Sequence, residues 1–139
     1  MNAARRRRVS RDRSASTGAG GEPGGVEAAA LLASARTEAL DWIEALNRQL
    51  AGIVESSGAE TNDDEHDPEG ATIAFERAQV QALLQRAKSD LREVEEARHR
   101  LDHGSYGRCE HCGKPIARLR LLARPAARTC IACAERARR

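Results

Sequence analysis

Tyr106-Gly107-Arg108-Cys109-Glu110-His111-Cys112-Gly113-Lys114-Pro115-Ile116, followed later by Cys130-Ile131-Ala132-Cys133, is the stretch that decides the fold of this 139-residue chain. Two C-x-x-C pairs are separated by seventeen residues, and the chain has no other cysteine. Zn²⁺ favours four tetrahedral ligands and accepts thiolates readily. Two residues between paired cysteines let one tight turn present both sulfurs. The spacing predicts one Zn²⁺ held by Cys109, Cys112, Cys130 and Cys133. The glycine after the second cysteine, Gly113, is expected to relieve crowding where the turn wraps the metal. Backbone N–H groups of such a knuckle can donate to the sulfurs and tune the site. Cys130 and Cys133 are placed at the start of a short final helix. Four thiolates leave no open position for water, which a catalytic zinc keeps. The metal therefore reads as structural. No nucleophile–base set stands elsewhere, so the chain does not read as an enzyme. His111 reads as a surface residue inside the knuckle, and His66, His99 and His103 have no ligand spacing.

A staple fits the composition. Charged residues make up 32% of the chain, and Phe, Tyr and Trp occur once each, so a large apolar core is out of reach. Small polar chains need a metal or disulfides to hold a fold. Zinc supplies roughly 10–16 kcal/mol of folding free energy in small finger peptides.

Upstream of the knuckle the pattern becomes helical. From about Ala71 to Asp102, apolar residues recur as Ile73, Val80, Leu84, Ala87, Leu91, Val94 and Leu101, with Arg77 and Arg98 at two further seam positions. Those arginines are expected to lay their stems along the seam and carry their charge to water. His103-Gly104 is a helix-stop signal. An earlier helix begins near Val26 and carries Leu32, Ala39, Ile43, Leu46, Leu50 and Ile53, widened by Leu40 and Trp42; Gly52 weakens its last turn and Ser56-Ser57-Gly58 ends it. Steps of four and three make a heptad seam. Two helices of about thirty residues, roughly 45 Å each at 1.5 Å per residue, joined by one short polar connection form an antiparallel hairpin.

The expected fold is mostly α: residues 26–103 as a long antiparallel helical hairpin of coiled-coil type, and residues 104–139 as a Cys₄ zinc module with a short terminal helix. The connection, residues 58–70, is an acidic tip holding Glu60, Asp63, Asp64, Glu65, Asp67 and Glu69. Residues 1–25, rich in Arg, Ser, Gly and Ala without periodicity, read as a disordered basic tail.

Net charge is only +2, but it is segregated, with the Arg5–Arg13 cluster, the acidic tip, and nine Lys or Arg against two Glu from Gly104 onward. Segregation of this kind steers contact with a partner. The module lacks the aromatic residues that stack single-stranded bases and the finger helix with His ligands that reads DNA. Phosphate contact is open to it, but no sequence-specific reading of DNA is expected. No apolar run approaches the eighteen residues of a membrane span. The stretch Ala28–Ala33 is too short for a signal peptide and follows Glu27. The chain reads as cytoplasmic, where paired C-x-x-C motifs point to metal rather than disulfides.

From Asp67 to Cys133 the chain resembles the DksA/TraR family of bacterial transcription regulators. The resemblance is carried by Asp67-Pro68 at the tip, Tyr106-Gly107-x-Cys-x-x-Cys-Gly, Ile116, Arg120-Leu121-x-Ala123-x-Pro125 and Cys130-x-x-Cys133. It implies a protein that binds RNA polymerase rather than promoter DNA. The hairpin would enter the secondary channel with its acidic tip toward the active centre, and in several members guanosine tetraphosphate acts jointly. Asp67, Glu69 and Asp64 are the tip residues this implication singles out. The tip departs from the family's Asp-x-x-Asp-x-Ala, because Gly70 replaces the second Asp and Thr72 the Ala. Two other readings stay open: a zinc-stapled adaptor that binds another protein without direct effect on transcription, and a non-specific nucleic-acid binder.

Overall fold

A computed structural model describes residues 23–58 and 68–139. The N-terminal tail through residue 22, and Asp64 and Asp67 of the tip, lie outside the described residues; Glu69 falls in the first turn of the second helix by its backbone. The described elements are four helices: α1 (Gly25–Gly58), α2 (Pro68–Asp102), α3 (Arg118–Ala123) and α4 (Ile131–Arg136). Among the described residues no strand occurs, only an isolated antiparallel bridge between Arg108 and Pro115.

α1 and α2 pack antiparallel along a seam. In the middle of the hairpin Leu46 meets Val80, Leu84 and Ala87, flanked by Ile43, Leu50 and Ile53. Nearer the metal module, Ala28 and Leu32 of α1 face Val94 and Ala97 of α2. Ion pairs lace the helix surfaces, including Arg36 of α1 with Glu95 of α2. The seam is mostly the expected one, with three differences. α2 begins at Pro68, three residues before Ala71. Proline suits the first helical position because its φ is preset and its missing N–H would have no partner there. Leu40 and Trp42 do not widen the buried stripe: they are 38% and 51% exposed. A second helix covers only one flank of α1, so residues turned away from its axis stay in water. Near the base of α2 the buried position is Ala97, not Arg98, which is exposed and pairs with Glu95 at 2.9 Å. At this end the metal module as well as α1 covers α2, and the cluster they share takes in Ala97. Arg77 is likewise exposed.

α2 ends on a glycine cap. Gly104 has φ +73°; its N–H donates to Leu101 O at 3.1 Å, and Ser105 N–H donates to Arg100 O at 2.9 Å. These bonds satisfy carbonyls that the helix end would leave open. The chain turns there and folds back on the hairpin root. Tyr106, Cys109, Ile116, Leu121 and Cys133 share one buried cluster with Ala28, Leu32, Val94 and Ala97. The module and the root of the hairpin therefore have a single core. Leu32, Ile116 and Leu121 are almost fully buried in it, each contributing about 1.5–3 kcal/mol by burial.

A four-cysteine metal centre at the root of the hairpin

The first C-x-x-C pair sits on a tight turn. Gly113 N–H donates to Cys109 O at 2.8 Å, Cys109 N–H to Lys114 O at 2.9 Å and Ile116 N–H to Gly107 O at 2.7 Å. Gly107 and Gly113 have φ of +82° and +68°. The expected reason for Gly113 needs correction: a Cβ there would meet nothing within 4 Å. What requires glycine is the left-handed backbone, not crowding. The second pair uses a helix start: Cys130 precedes α4 and Cys133 stands in its first turn.

Three ties bring the pairs together. Glu110 N–H donates to Arg128 O at 3.0 Å, and the Glu110 carboxylate accepts from Arg128 Nε at 2.9 and 3.0 Å. Arg120 Nε donates to Thr129 O at 2.8 Å, beside Cys130. Tyr106 Oη donates to Pro125 O at 2.8 Å. Further bonds tie the module to the helices: Arg100 of α2 donates to Glu110 at 2.9 Å and to Ala126 O at 3.2 Å, Arg128 donates to Glu96 at 3.1 Å, and Arg118 pairs with Glu27 of α1. Burial pushes the Glu110 carboxyl upward, but the bonds from Arg128 and Arg100 outweigh it and hold the group below the usual carboxylate range. Burial raises the Tyr106 hydroxyl, with the Arg100 charge opposing.

The four Sγ atoms all lie within 4.8 Å of one another. Cys112 and Cys130 Sγ are 3.8 Å apart. Tetrahedral zinc with Zn–S of about 2.3 Å places its sulfurs roughly 3.8 Å apart. A disulfide would need about 2.05 Å, and all four cysteines are free. The donor set therefore fits one zinc ion with no open position. Among the described residues this is the one group of three or more His, Cys, Asp or Glu side chains drawn together tightly enough to hold a metal. His111 is exposed and stands beside the site, not in it.

The thiols differ. Backbone N–H groups of Cys130, then of Cys112 and His111, point at Cys109 and bring its thiol down to about 6 despite burial. Cys133 is pushed up to about 11, first by its bond with the Cys130 side chain and then by burial. Sequence reasoning missed the arginine–glutamate network and Arg136, which reaches Cys133 Sγ at 3.2 Å. The i, i+3 spacing of Cys133 and Arg136 on a helix was a readable signal for that contact.

Comparison with known proteins agrees with this construction. The family model for the prokaryotic dksA/traR C4-type zinc finger matches residues 104–139. A Caulobacter vibrioides protein named RNA polymerase-binding transcription factor DksA is 31% identical over 97 residues, covering 70% of this chain and 68% of that protein. An uncharacterized Aquifex aeolicus protein is 45% identical over 49 residues, 35% of this chain and 34% of its own length. The solved structure of transcription factor DksA2 from Pseudomonas aeruginosa superposes with a TM-score of 0.65 at 34% identity, covering 81% of each chain. The C4 zinc-finger family model over the module, the 31% identity to the Caulobacter protein over two thirds of each chain and the likeness to DksA2 place the chain in the DksA/TraR family.

Proposed function

We propose that this chain is a non-enzymatic transcription regulator that binds RNA polymerase through the secondary channel. In this reading Cys109, Cys112, Cys130 and Cys133 hold one structural zinc at the base, and the tip carrying Asp64, Asp67 and Glu69 approaches the active centre. The observation that carries it is likeness over both parts, hairpin and module, to DksA2 together with sequence identity to a protein named for binding RNA polymerase. Physical support comes from shape and charge. α1 has 34 residues, about 50 Å at 1.5 Å per residue, long enough to carry a tip into a deep channel. The basic module at the other end suits an acidic rim. The closed Cys₄ donor set supports a role without catalysis. Among the described residues no helix is long and apolar enough to cross a membrane, and the reading is of a cytoplasmic protein. Joint action with guanosine tetraphosphate belongs to it through the family resemblance.

A second reading is favoured by one observation: Gly70 stands where the family carries its second tip Asp. On that reading the hairpin binds a protein without altering transcription. Both are tested with core RNA polymerase and a photocrosslinker at position 67. The proposed function predicts co-elution with core enzyme, crosslinks to the catalytic subunit near the active centre, and altered promoter-complex lifetime, with guanosine tetraphosphate adding to the effect. Asp67→Ala should abolish that effect and Gly70→Asp strengthen it. Crosslinks confined to outer surfaces would refute channel entry. Binding with unchanged RNA output would favour the adaptor.

A further inference from the structure

Cys109, Cys112 and Cys133 present their sulfurs to different surroundings. Cys109 Sγ is served by backbone N–H groups. Cys112 is exposed to water. Cys133 is only 6% exposed, so water contributes little there. It stands in the first turn of α4, where Ala134 N–H is used by Cys130 O and Ala137 N–H by Cys133 O. Among the described residues, apart from its cysteine neighbours, what reaches its sulfur is a guanidinium. Arg136 Nη2 donates to Cys133 Sγ at 3.2 Å, while Arg136 Nε donates to Ala132 O at 3.3 Å. Long helix side chains lean toward the N-terminus, over the residue three positions earlier. The second bond holds the planar fork in place. Arg136 also lines the shallow hollow over Cys112 and Cys133, together with His111 and Ala137.

Four thiolates around Zn²⁺ leave about two negative charges on the centre. A charged hydrogen bond to one buried thiolate offsets part of that charge without adding a ligand. We propose that Arg136 is a positioning residue of the metal centre. Its guanidinium holds the Cys133 thiolate in its ligating orientation and offsets its charge, so that the centre binds zinc more tightly. This rests on the four-cysteine zinc reading above. The contact is specific to one of three arginines at this end of the chain: Arg138, two residues on, lines a different groove with Asp90 and Glu93.

The test uses the full chain with Arg136→Gln, Arg136→Lys and, as a control for charge alone, Arg138→Gln. Zinc affinity is measured by chelator competition, and the thiolate-to-metal charge-transfer band is recorded on the Co²⁺-loaded proteins. Loss of such a second-layer partner lowers metal affinity about 10–100-fold; that loss is expected for Arg136→Gln, with partial recovery in Arg136→Lys and wild-type affinity in Arg138→Gln. The band should move to longer wavelength in Arg136→Gln, because an uncompensated thiolate gives up charge to the metal more easily. Wild-type affinity in Arg136→Gln would overturn the proposal. So would equal losses in Arg136→Gln and Arg138→Gln, or an affinity loss with an unmoved band and no rescue by lysine. If the wild-type chain binds one zinc but Arg136→Gln matches it, only this inference falls. A wild-type chain that binds no metal would remove the zinc reading and this inference together.

Discussion

Glu110→Gln removes the charge that joins the metal module to the hairpin. One carboxylate accepts from Arg128 Nε through both oxygens and from Arg100 of α2. The Glu110 and Arg128 side chains are 39% and 51% exposed, while Arg100 is only 15% exposed. The Arg128 pair is therefore screened, worth about 0.2–1 kcal/mol. The Arg100 bond is better shielded, and charge-assisted bonds contribute about 1.5–3 kcal/mol before such discounting. Together the substitution should cost about 1–2 kcal/mol, since glutamine keeps one acceptor. With zinc saturating at neutral pH, the urea midpoint should fall by about 0.5–1 M for an m-value near 2 kcal/mol/M. A double-mutant cycle with Arg128→Gln should give a favourable coupling that shrinks at high salt. The Glu110 carboxyl is held below its ordinary 4.5. Its contribution is thus complete above that pH and lost as pH falls through the lowered folded value. Thiol protonation releases the metal in the same acid range, so salt is the cleaner variable. A coupling of zero at low salt, with an unchanged midpoint, would refute the claim that this network fixes the module on the hairpin.

Leu121, 0% exposed in the shared core, should cost about 2–5 kcal/mol as Leu121→Ala, read from urea unfolding of zinc-loaded protein. Leu119, 79% exposed in the same helix, should change stability by under about 0.5 kcal/mol as Leu119→Ala; equal losses at both would show the burial pattern of α3 to be wrong. Apparent zinc affinity should rise with pH above the Cys109 value of about 6, because the Cys133 thiol, pushed up to about 11, must release its proton to the solvent. A pH-independent affinity between 6 and 9 would contradict that proton release. Trp42, half exposed, should be quenched readily by iodide, and an emission spectrum typical of a buried indole would place it in the seam after all.

Reading the residues in order reached the helices, their pairing and the metal ligands because each rests on local spacing. Two C-x-x-C pairs need only a turn each, and a recurring apolar residue every three or four positions needs only a helix. Flank residues were harder. Leu40 and Trp42 are apolar and near the seam in projection, yet whether a flank is covered depends on what lies across it. Gly113 was recognised, but for crowding; the positive φ that demands it is a property of the folded turn.

The sequence by itself determined a mostly α hairpin, a zinc-binding donor set and their order along the chain. Those follow from periodicity and ligand chemistry, which act over a few residues. Only the tertiary structure decided that the module shares a core with the hairpin root, and that Glu110 joins Arg100 to Arg128. It alone decided that Arg136, and not Arg138 or Arg139, reaches a zinc-ligand sulfur. The shared core and the Glu110 network depend on the relative placement of elements distant in sequence, which no spacing rule encodes; for Arg136 the i, i+3 spacing offers Cys133 as a neighbour, and the folded structure decides the rotamer that takes the contact.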